Sequence, residues 1–414
     1  MVRTKELLPV FVGRFQPLHL GHMEVIKQLS AGGEFAIAIG SMQESGTYEN
    51  PLDFWQRKKM LEIALEEQGI IDFRIFGIPD YNDDTQWSEK LISLAGTRNI
   101  IVHTRNSWTK RCLDGAGIRV IKNPLYFGLS ATQVRSKIAR GLKWKHMVSK
   151  ATARFVESIG GISRIRNLSA SPEKKIVSFI RGAVSDSGAK GCIVGVSGGV
   201  DSAVTALLAK KALGDKAFFV YIPFGEKPCP SIKLLSEMLE IKTLSLEGVY
   251  ETFIKALPNG NPVSRGNLQS RLRMCALYYF ANQGGLLVMG TTNRSEMELG
   301  YFTKYGDGGA DIEPIADLYK SELFALARKI GVPEEIIQST PSAGLWEGQT
   351  DEGEIGLSYF GIDTVLKMLS LGFSAKEISR LTAVPLEKVE SIILRKRSNL
   401  HKLSLPPVCR RGTR

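Results

Sequence analysis

At two places the chain drives a run of apolar residues into a glycine turn and out into a helix. In the second half, Cys192-Ile193-Val194-Gly195-Val196 leads into Ser197-Gly198-Gly199, and Ala203-Val204-Thr205-Ala206-Leu207-Leu208-Ala209 follows. Near the start, the apolar residues 8–12 lead into GRFQPLHLGH, Gly13 to His22. A strand, a tight turn and a helix start together open a βαβ unit, whose strands are parallel. The same alternation recurs along the chain. Strands are expected at residues 8–12, 35–39, 73–78, 100–103 and 119–121, then at 192–196, 217–222, 241–246 and 286–289. Amphipathic runs lie between them, and the chain reads as helical from Ile362 onward. The fold class is therefore α/β, with two doubly wound parallel sheets and C-terminal helices.

With 414 residues the chain exceeds one typical domain. The polar stretch 164–172 ends in a helix-start signal, Ser171 before Pro172. The expected division is a first domain at 1–166, a linker at 167–173, a second domain at 174–400 and a frayed basic tail at 401–414. No run approaches the roughly 18 apolar residues of a membrane span. The start, MVRTKELLPVFVG, lacks the apolar core of a signal peptide, so a cytoplasmic location is expected, with no membrane partner. The five cysteines are scattered without a CxxC pair, which suggests reduced thiols and no zinc. The net charge of +12 suits a nucleic acid or a small polyanion. With no RGG, RNP or basic-helix pattern, the small polyanion is the favoured partner and no nucleic acid is expected.

In the first turn, Gly13 is expected to allow close backbone approach, and Gly21 to let the helix start press near a ligand. His19 and His22, spaced HxxH, can each donate a ring N–H to a phosphate oxygen. A tight turn with one capping histidine is the plainer account of the same residues. Further on, Ser130, Thr132 and Arg135 in SATQVR bring two hydroxyls and a guanidinium to another helix start, a second anion site.

GRFQPLHLGH, SMQES with Asn50-Pro51, and LSATQVR together resemble the archaeal-type nicotinamide-mononucleotide adenylyltransferases of the nucleotidylyltransferase superfamily, over roughly the first 165 residues. The resemblance implies that Gly13, His19 and His22 face the ATP phosphates, with Arg14 in the same turn, and that Ser130, Thr132 and Arg135 grip the β/γ end. Ser41 to Ser45, including Glu44, with Asn82 and Trp87 would line the mononucleotide side. Trp87 would stack on the pyridine ring or simply pack in the core. One stretch departs from the family: IVHTRNSWTKR, residues 101–111, is more polar and basic than the small-residue segment expected there. A cation in it, Arg105 or Lys110, would favour nicotinate over nicotinamide mononucleotide.

In VSGGVDS the backbone of Ser197, Gly198 and Gly199 can wrap an anion, with Ser202 adding a hydroxyl. Asp201 beside phosphate implies an intervening Mg²⁺. The loop is not the Walker pattern; it resembles that of the ATP pyrophosphatases. With RGNLQSRLRM, GTTNRSE, GYFTKYGDGGAD, LYKSE and AGLWEGQTDE in order, the second half closely resembles ammonia-dependent NAD synthetase across about residues 170–400. Both halves are thus expected to be Rossmann-like, of nucleotidylyltransferase and ATP-pyrophosphatase type in turn.

The synthetase resemblance implies that Ser197, Gly198, Gly199, Asp201 and Ser202 hold the ATP phosphates, with Asp201 and Glu296 as Mg²⁺ ligands. Thr291 would contact the nucleotide, and Asn267 and Arg271 the deamido-NAD. Lys304, Asp307 and Asp311 would surround the nicotinate end and the ammonia pocket, with an aspartate trapping ammonium or taking its proton. Lys320 would neutralise the polyphosphate, and Ser342 would belong to a flap.

The joint expectation is a bifunctional enzyme of NAD biosynthesis. The first half adenylates nicotinate or nicotinamide mononucleotide; the second amidates deamido-NAD with ammonia. ATP is the co-substrate, Mg²⁺ the metal, and no prosthetic group is expected. No glutaminase nucleophile set is apparent, so nitrogen comes as free ammonia or from a separate glutaminase. The family resemblances imply a homo-oligomer. Two alternatives are an adenylyltransferase and amidating pyrophosphatase with other small substrates, and a nucleotide-sensing DNA-binding regulator, motivated by the helix-turn-helix-like residues 374–389.

Overall fold

The first apolar run forms strand β1 (Leu8–Gly13), largely buried. In the computed structural model, which describes residues 7–225, 229–340 and 350–409, it pairs in parallel with β2 (Phe35–Ile39). β3 (Phe73–Gly77) extends the sheet beyond β2. On the other side of β1 come β4 (Ile100–Thr104) and then β5 (Arg119–Lys122), giving the order β3-β2-β1-β4-β5. Every residue of β2 is buried, as a strand covered on both faces requires. The strand order reverses direction beside β1. At such a switch point the loops leaving the strands part and open a crevice at their carboxyl ends.

The second sheet repeats this logic. β6 (Gly191–Gly195) lies between β7 (Ala217–Tyr221) and β9 (Leu286–Met289), and β8 (Ile241–Thr243) extends the β7 side, giving the order β8-β7-β6-β9. All pairings are parallel. The switch point falls between β6 and β9, so the loops after these two strands share one crevice.

All nine expected strands form, with two parallel sheets. β8 is shorter than expected: after Leu244 N donates to Tyr221 O the chain leaves the sheet and turns into the helix Glu247–Ala256. The core of the second sheet takes Ile176, Val177 and Ile180 from the helix Pro172–Asp186 and Leu323 and Leu326 from the helix Lys320–Ile330. Between them the helix Val200–Leu213 is buried nearly all round, its Ala203, Ala206 and Ala209 admitting close neighbours. Each fully buried Val or Leu here is worth about 1.5–3 kcal/mol relative to exposure.

By packing, the chain divides into two units: Met1–Ala170 with Lys367–Leu386, and Ser171–Leu366 with Glu387–Arg414. Residues 367–386, which the sequence reading groups with the second half, thus fall in the first unit. The polar stretch expected to be a linker is helical as far as Leu168. Its arginines have internal partners: Arg164 donates to Gln56 Oε1 at 2.7 Å and Arg166 to Ile138 O at 3.2 Å. Ser171 does cap the helix Pro172–Asp186. The tail was expected to fray; its start is held by Lys402, which donates to Gly300 O and Phe302 O at 2.7 and 2.9 Å, while Leu405 and Val408 further on are exposed. Among the described residues no helix is long and apolar enough to cross a membrane.

Candidate functional site

In the first unit, the helix Leu20–Ser30 starts at His19. His22 N donates to His19 Nδ1 and His19 N to His22 Nδ1, both at 3.3 Å. The two rings stack with centroids 3.6 Å apart. With both Nδ1 atoms accepting, each neutral ring carries its proton on Nε2. Burial lowers the His19 pKa to about 4. Burial, reinforced by His19, holds His22 well below the ordinary value. The pair is therefore two neutral N–H donors, already oriented at neutral pH.

Gly13 makes room within the turn itself, since a Cβ there would lie 2.9 Å from the Phe15 ring. Gly21 similarly makes room for the His19 ring, 3.1 Å from a Cβ at that position. Gln16 fixes the turn by donating to Leu52 O at 2.7 Å and accepting from Leu52 N at 3.0 Å. Arg14 is exposed.

The loop after β2 is organised by a residue that sequence reasoning missed. Arg57 is fully buried and donates to the carbonyl oxygens of Arg14, Gly40, Ser41 and Met42 at 2.8–3.3 Å. Burial, the largest effect, lowers its pKa to about 10, so it stays cationic at neutral pH. Asp80, also missed, accepts from Ser41 Oγ and Gln43 Nε2, both at 3.0 Å. Burial raises the Asp80 carboxyl above its ordinary pKa, against the pull of these hydrogen bonds. Glu44 accepts from Lys367 at 3.0 and 3.1 Å. Arg57 carried no sequence signal, being one polar residue in an amphipathic helix; Asp80 stood inside PDYNDD.

Ser130 caps the helix Ala131–Ala139. Arg135 is buried, donating to Gln16 O at 2.7 Å and Thr132 Oγ1 at 3.3 Å, with the Tyr48 ring 5.5 Å away. It thus braces the first turn from behind. Trp87 is a correction: it is 2% exposed and packs edge-on against Trp108 in the core, so it offers no free face to a pyridine ring. Asn82 is exposed. The two cations expected to favour nicotinate have partners within the first unit. Arg105 follows β4 and donates to Asn123 O at 2.7 Å, across β1 from the β2 and β3 loops; Lys110 pairs with Asp114.

In the second unit, Gly199 starts the helix Val200–Leu213 with no side-chain cap, leaving its first N–H groups directed outward. Ser202 Oγ accepts from Ser197 N at 3.1 Å and donates to Gly199 O at 2.9 Å, closing the turn. Gly198 has φ +93°, and a Cβ there would lie 2.6 Å from Cys229 Sγ, so both conformation and space demand glycine.

The β6 and β9 loops meet as the switch point requires. Asn293, fully buried, donates to Asp201 Oδ1 at 2.8 Å and caps the helix Arg294–Leu299. Lys320, 2% exposed, donates to Asp201 Oδ2 and, at 3.3 Å, to Glu296 Oε1. Its ammonium lies 5.0 Å from the Tyr359 ring. Burial alone would lower the Lys320 pKa; Asp201 and then Glu296 overcome this and hold it raised. Burial first, then Asp201, raises Glu296. Two carboxylates thus converge on one cation, a donor set that also suits Mg²⁺ sharing its remaining positions with phosphate and water.

The helix Pro262–Gly284 turns one face to the loop 301–311. Asn267 Oδ1 accepts from Thr303 Oγ1 at 2.7 Å, Ser270 Oγ donates to Asp307 at 2.7 Å, and Arg271 donates to Lys304 O at 3.3 Å. Positions 267, 270 and 271 share that face by helical spacing; Ser270 was overlooked. Asp311 accepts from Val288 N at 2.7 Å and Tyr278 Oη at 3.1 Å, which ties both its oxygens to β9 and the helix. Lys304 donates to His401 O, and to Ser404 O at 3.2 Å, so its ammonium is turned to the C-terminal segment. Thr291 is half-buried at the end of β9. Beside it, Glu313 accepts from Thr292 N at 3.2 Å, and burial raises its pKa to about 7. Ser342 lies outside the described residues.

Two doubly wound sheets, each with an anion-ready turn at its switch point, define an α/β protein of the nucleotide-binding kind. The family model "NAD synthase" matches residues 173–406, more than half of the chain, and this chain belongs to that family. Residues 10–137 match "Cytidylyltransferase-like". The chain thus joins a nucleotidyltransferase-like domain to a ligase-type domain of NAD biosynthesis. The NH3-dependent NAD(+) synthetase of Methanococcoides burtonii is 44% identical over 242 residues, 56% of this chain and 92% of that protein. That of Methanocaldococcus jannaschii is 44% identical over 245 residues, 56% of this chain and 94% of the relative. Among solved structures, the NMN synthetase of Francisella tularensis is similar, with a TM-score of 0.52 and 36% identity over 58% of this chain and 99% of that one.

Proposed function

We propose that the chain makes NAD in two ATP-dependent steps. In the first unit, a phosphate oxygen of nicotinate or nicotinamide mononucleotide attacks the α-phosphorus of ATP. The bond to the β-phosphate breaks and pyrophosphate leaves. His19 and His22 donate their Nε2–H groups to the phosphate oxygens as charge builds there. Gly13 and Arg14 belong to the same turn; Ser130 and Thr132 hold the distal phosphates, and the buried Arg135, expected to grip them directly, supports the turn through Gln16 O and Thr132. Ser41, Glu44 and Asn82 flank the mononucleotide. No covalent enzyme intermediate is needed, because positioning and charge stabilisation suffice. The neutral, mutually capped histidine pair supports this reading most strongly.

In the second unit, the carboxylate of deamido-NAD attacks the α-phosphorus of ATP and pyrophosphate leaves. Ammonia then attacks the acyl carbon and AMP departs. Ser197, Gly198, Gly199 and Ser202 cradle the phosphates at the uncapped helix start. Asp201 and Glu296 would hold Mg²⁺, which supplies positive charge to the triphosphate when bound. Lys320 adds a buried positive charge, and Thr291, Asn267 and Arg271 orient the dinucleotide. Asp307 is the better proton acceptor for ammonium, since both oxygens of Asp311 already have partners. The archaeal relatives' printed activity and the convergence of Asp201, Glu296 and Lys320 support this step. Nitrogen comes as free ammonia or from a separate glutaminase, and the chain works as a homo-oligomer.

A second order of events is favoured by one observation, the likeness to an NMN synthetase. Amidation of the mononucleotide would then precede adenylation. Incubating the chain with nicotinate mononucleotide, Mg²⁺-ATP and ammonium, with products followed by mass spectrometry, tests both. Deamido-NAD before NAD supports the first order and nicotinamide mononucleotide before NAD the second. Absence of NAD overturns both.

A further inference from the structure

We propose that Lys367 is a positioning residue of the first site, and that Lys367–Leu386 is a built-in part of that unit. This rests on reading the first unit as a mononucleotide adenylyltransferase. The segment lies some 200 residues beyond the rest of its unit in sequence, inside the stretch that matches NAD synthase. Within the first unit, however, it is seated at successive points. Lys367 Nζ donates to both oxygens of Glu44, at 3.0 and 3.1 Å, with only 9% of its side chain exposed. Trp55 Nε1 donates to Leu371 O at 2.9 Å. Phe373 stacks on Trp55 with centroids 5.2 Å apart, and Phe54 lies 6.0 Å from it. Tyr81 Oη donates to Leu381 O, and Lys90 to Arg380 O.

These anchors bracket the loop after β2. Phe54 and Trp55 open the helix Phe54–Glu66, which also carries Arg57. Tyr81 follows β3, one residue from Asp80. Arg57 therefore grips the loop 40–44 through its carbonyl oxygens from within, while Lys367 grips it through the Glu44 carboxylate. Lys367 also sets the local charge. Glu44 and Asp80 are two carboxylates near enough for Glu44 to raise the Asp80 pKa. Unpaired, Glu44 would stand as a net negative charge on the loop that the proposed function gives to an anionic mononucleotide. Lys367 cancels that charge and fixes the loop at once.

The test uses the full chain, measuring both reactions with purified substrates. In Lys367→Met, KM for the mononucleotide should rise roughly tenfold, because removing one partner leaves a poorly solvated charge behind. KM for ATP in the first reaction, and the ammonia-dependent reaction, should be unchanged. Lys367→Arg should restore the mononucleotide KM to within about twofold, since a guanidinium can also bridge both oxygens. If Lys367→Met does not yield folded protein, Lys367→Gln, which keeps one donor, should give a rise of about two- to fivefold. An unchanged mononucleotide KM, an equal rise in KM for ATP, or a parallel fall in both reactions overturns the inference while leaving the adenylyltransferase reading intact. If the unmodified chain forms no dinucleotide from mononucleotide and ATP, that reading fails and takes this inference with it.

Discussion

His19 and His22 cap each other: each Nδ1 accepts the other's backbone N–H at 3.3 Å, and their rings stack at 3.6 Å. The arrangement works only with both rings neutral, because a protonated Nδ1 cannot accept. It ties a phosphate-directed donor pair to the integrity of a helix start.

A pH dependence of stability follows. His19 has its folded pKa lowered to about 4, against an ordinary 6.5. Its stabilising contribution is thus fully present above about pH 6.5 and is lost as pH falls toward 4. The loss amounts to about 3 kcal/mol. Four of the five tryptophans, Trp55, Trp87, Trp108 and Trp144, lie in the first unit, so urea denaturation followed by tryptophan fluorescence, with Trp346 replaced by Phe, reports on it. His19→Asn, which keeps a capping acceptor, should flatten this slope between pH 6.5 and 4.5. An unchanged slope would rule out the neutral pair as its source.

The two reactions should separate by mutation. His22→Ala should lower the adenylyl transfer rate by about 100-fold or more and spare amidation. Asp201→Ala should do the reverse. Pyrophosphate release with each substrate pair measures this directly. If either change abolished both reactions, the two-site account would be wrong.

Arg57 should be essential to the first unit without touching substrate. Arg57→Met removes the donor to four carbonyl oxygens, of which that of Met42 is buried and the others are partly so. A loss of about 3 kcal/mol or more is expected. Arg57→Lys should recover little of it, since one ammonium cannot reproduce a planar fork. Thermal melting of both variants, read by tryptophan fluorescence, checks this. A Lys variant as stable as the parent would contradict it.

Lys320→Met should expose the cost of its carboxylate neighbours. Removing the cation leaves Asp201 and Glu296 buried without it, a destabilisation of about 3–5 kcal/mol. Glu296 already has a raised pKa in the folded chain. Such a group favours the folded state most below its unfolded pKa and loses that advantage as pH rises. Lys320 pulls the Glu296 pKa down to about 8, so without it Glu296 stays protonated to higher pH. The deficit of Lys320→Met relative to the parent should therefore hold steady between about pH 5.5 and 7 and grow above about pH 8, where Glu296 ionises in the folded parent but not in the variant. Denaturation midpoints on both sides of about pH 8 decide it; a deficit that does not change across that pH would mean that Lys320 does not set the titration of Glu296.

Much of this arrangement was legible in the sequence because local chemistry dictates it. Apolar runs that end in glycine turns become parallel strands with ligand loops at their carboxyl ends, and all nine appeared. His19, His22 and Asp201 stood within short motifs, where spacing brings donors or charge to a helix start; Glu296 and Lys320 were singled out by the resemblance to the synthetase family. Arg57, Asp80, Ser270, Asn293 and Glu313 were overlooked, because each acts on groups distant in sequence. Trp87 shows the converse: a tryptophan beside a ligand motif turned inward, since its neighbours in the folded sheet offered it a core.

The sequence by itself determined the order of strands and helices, the two phosphate-ready turns and the chemical types placed in them, since these depend on neighbours along the chain. Only the tertiary structure decided which partners hold those residues: that Lys320 bridges Asp201 to Glu296, that Arg57 grips the loop after β2, and that Lys367 meets Glu44 across 323 positions. The physical reason is that a buried charge takes whichever counter-charge or carbonyl the packed backbone brings within about 3 Å, and separation along the chain does not encode that proximity.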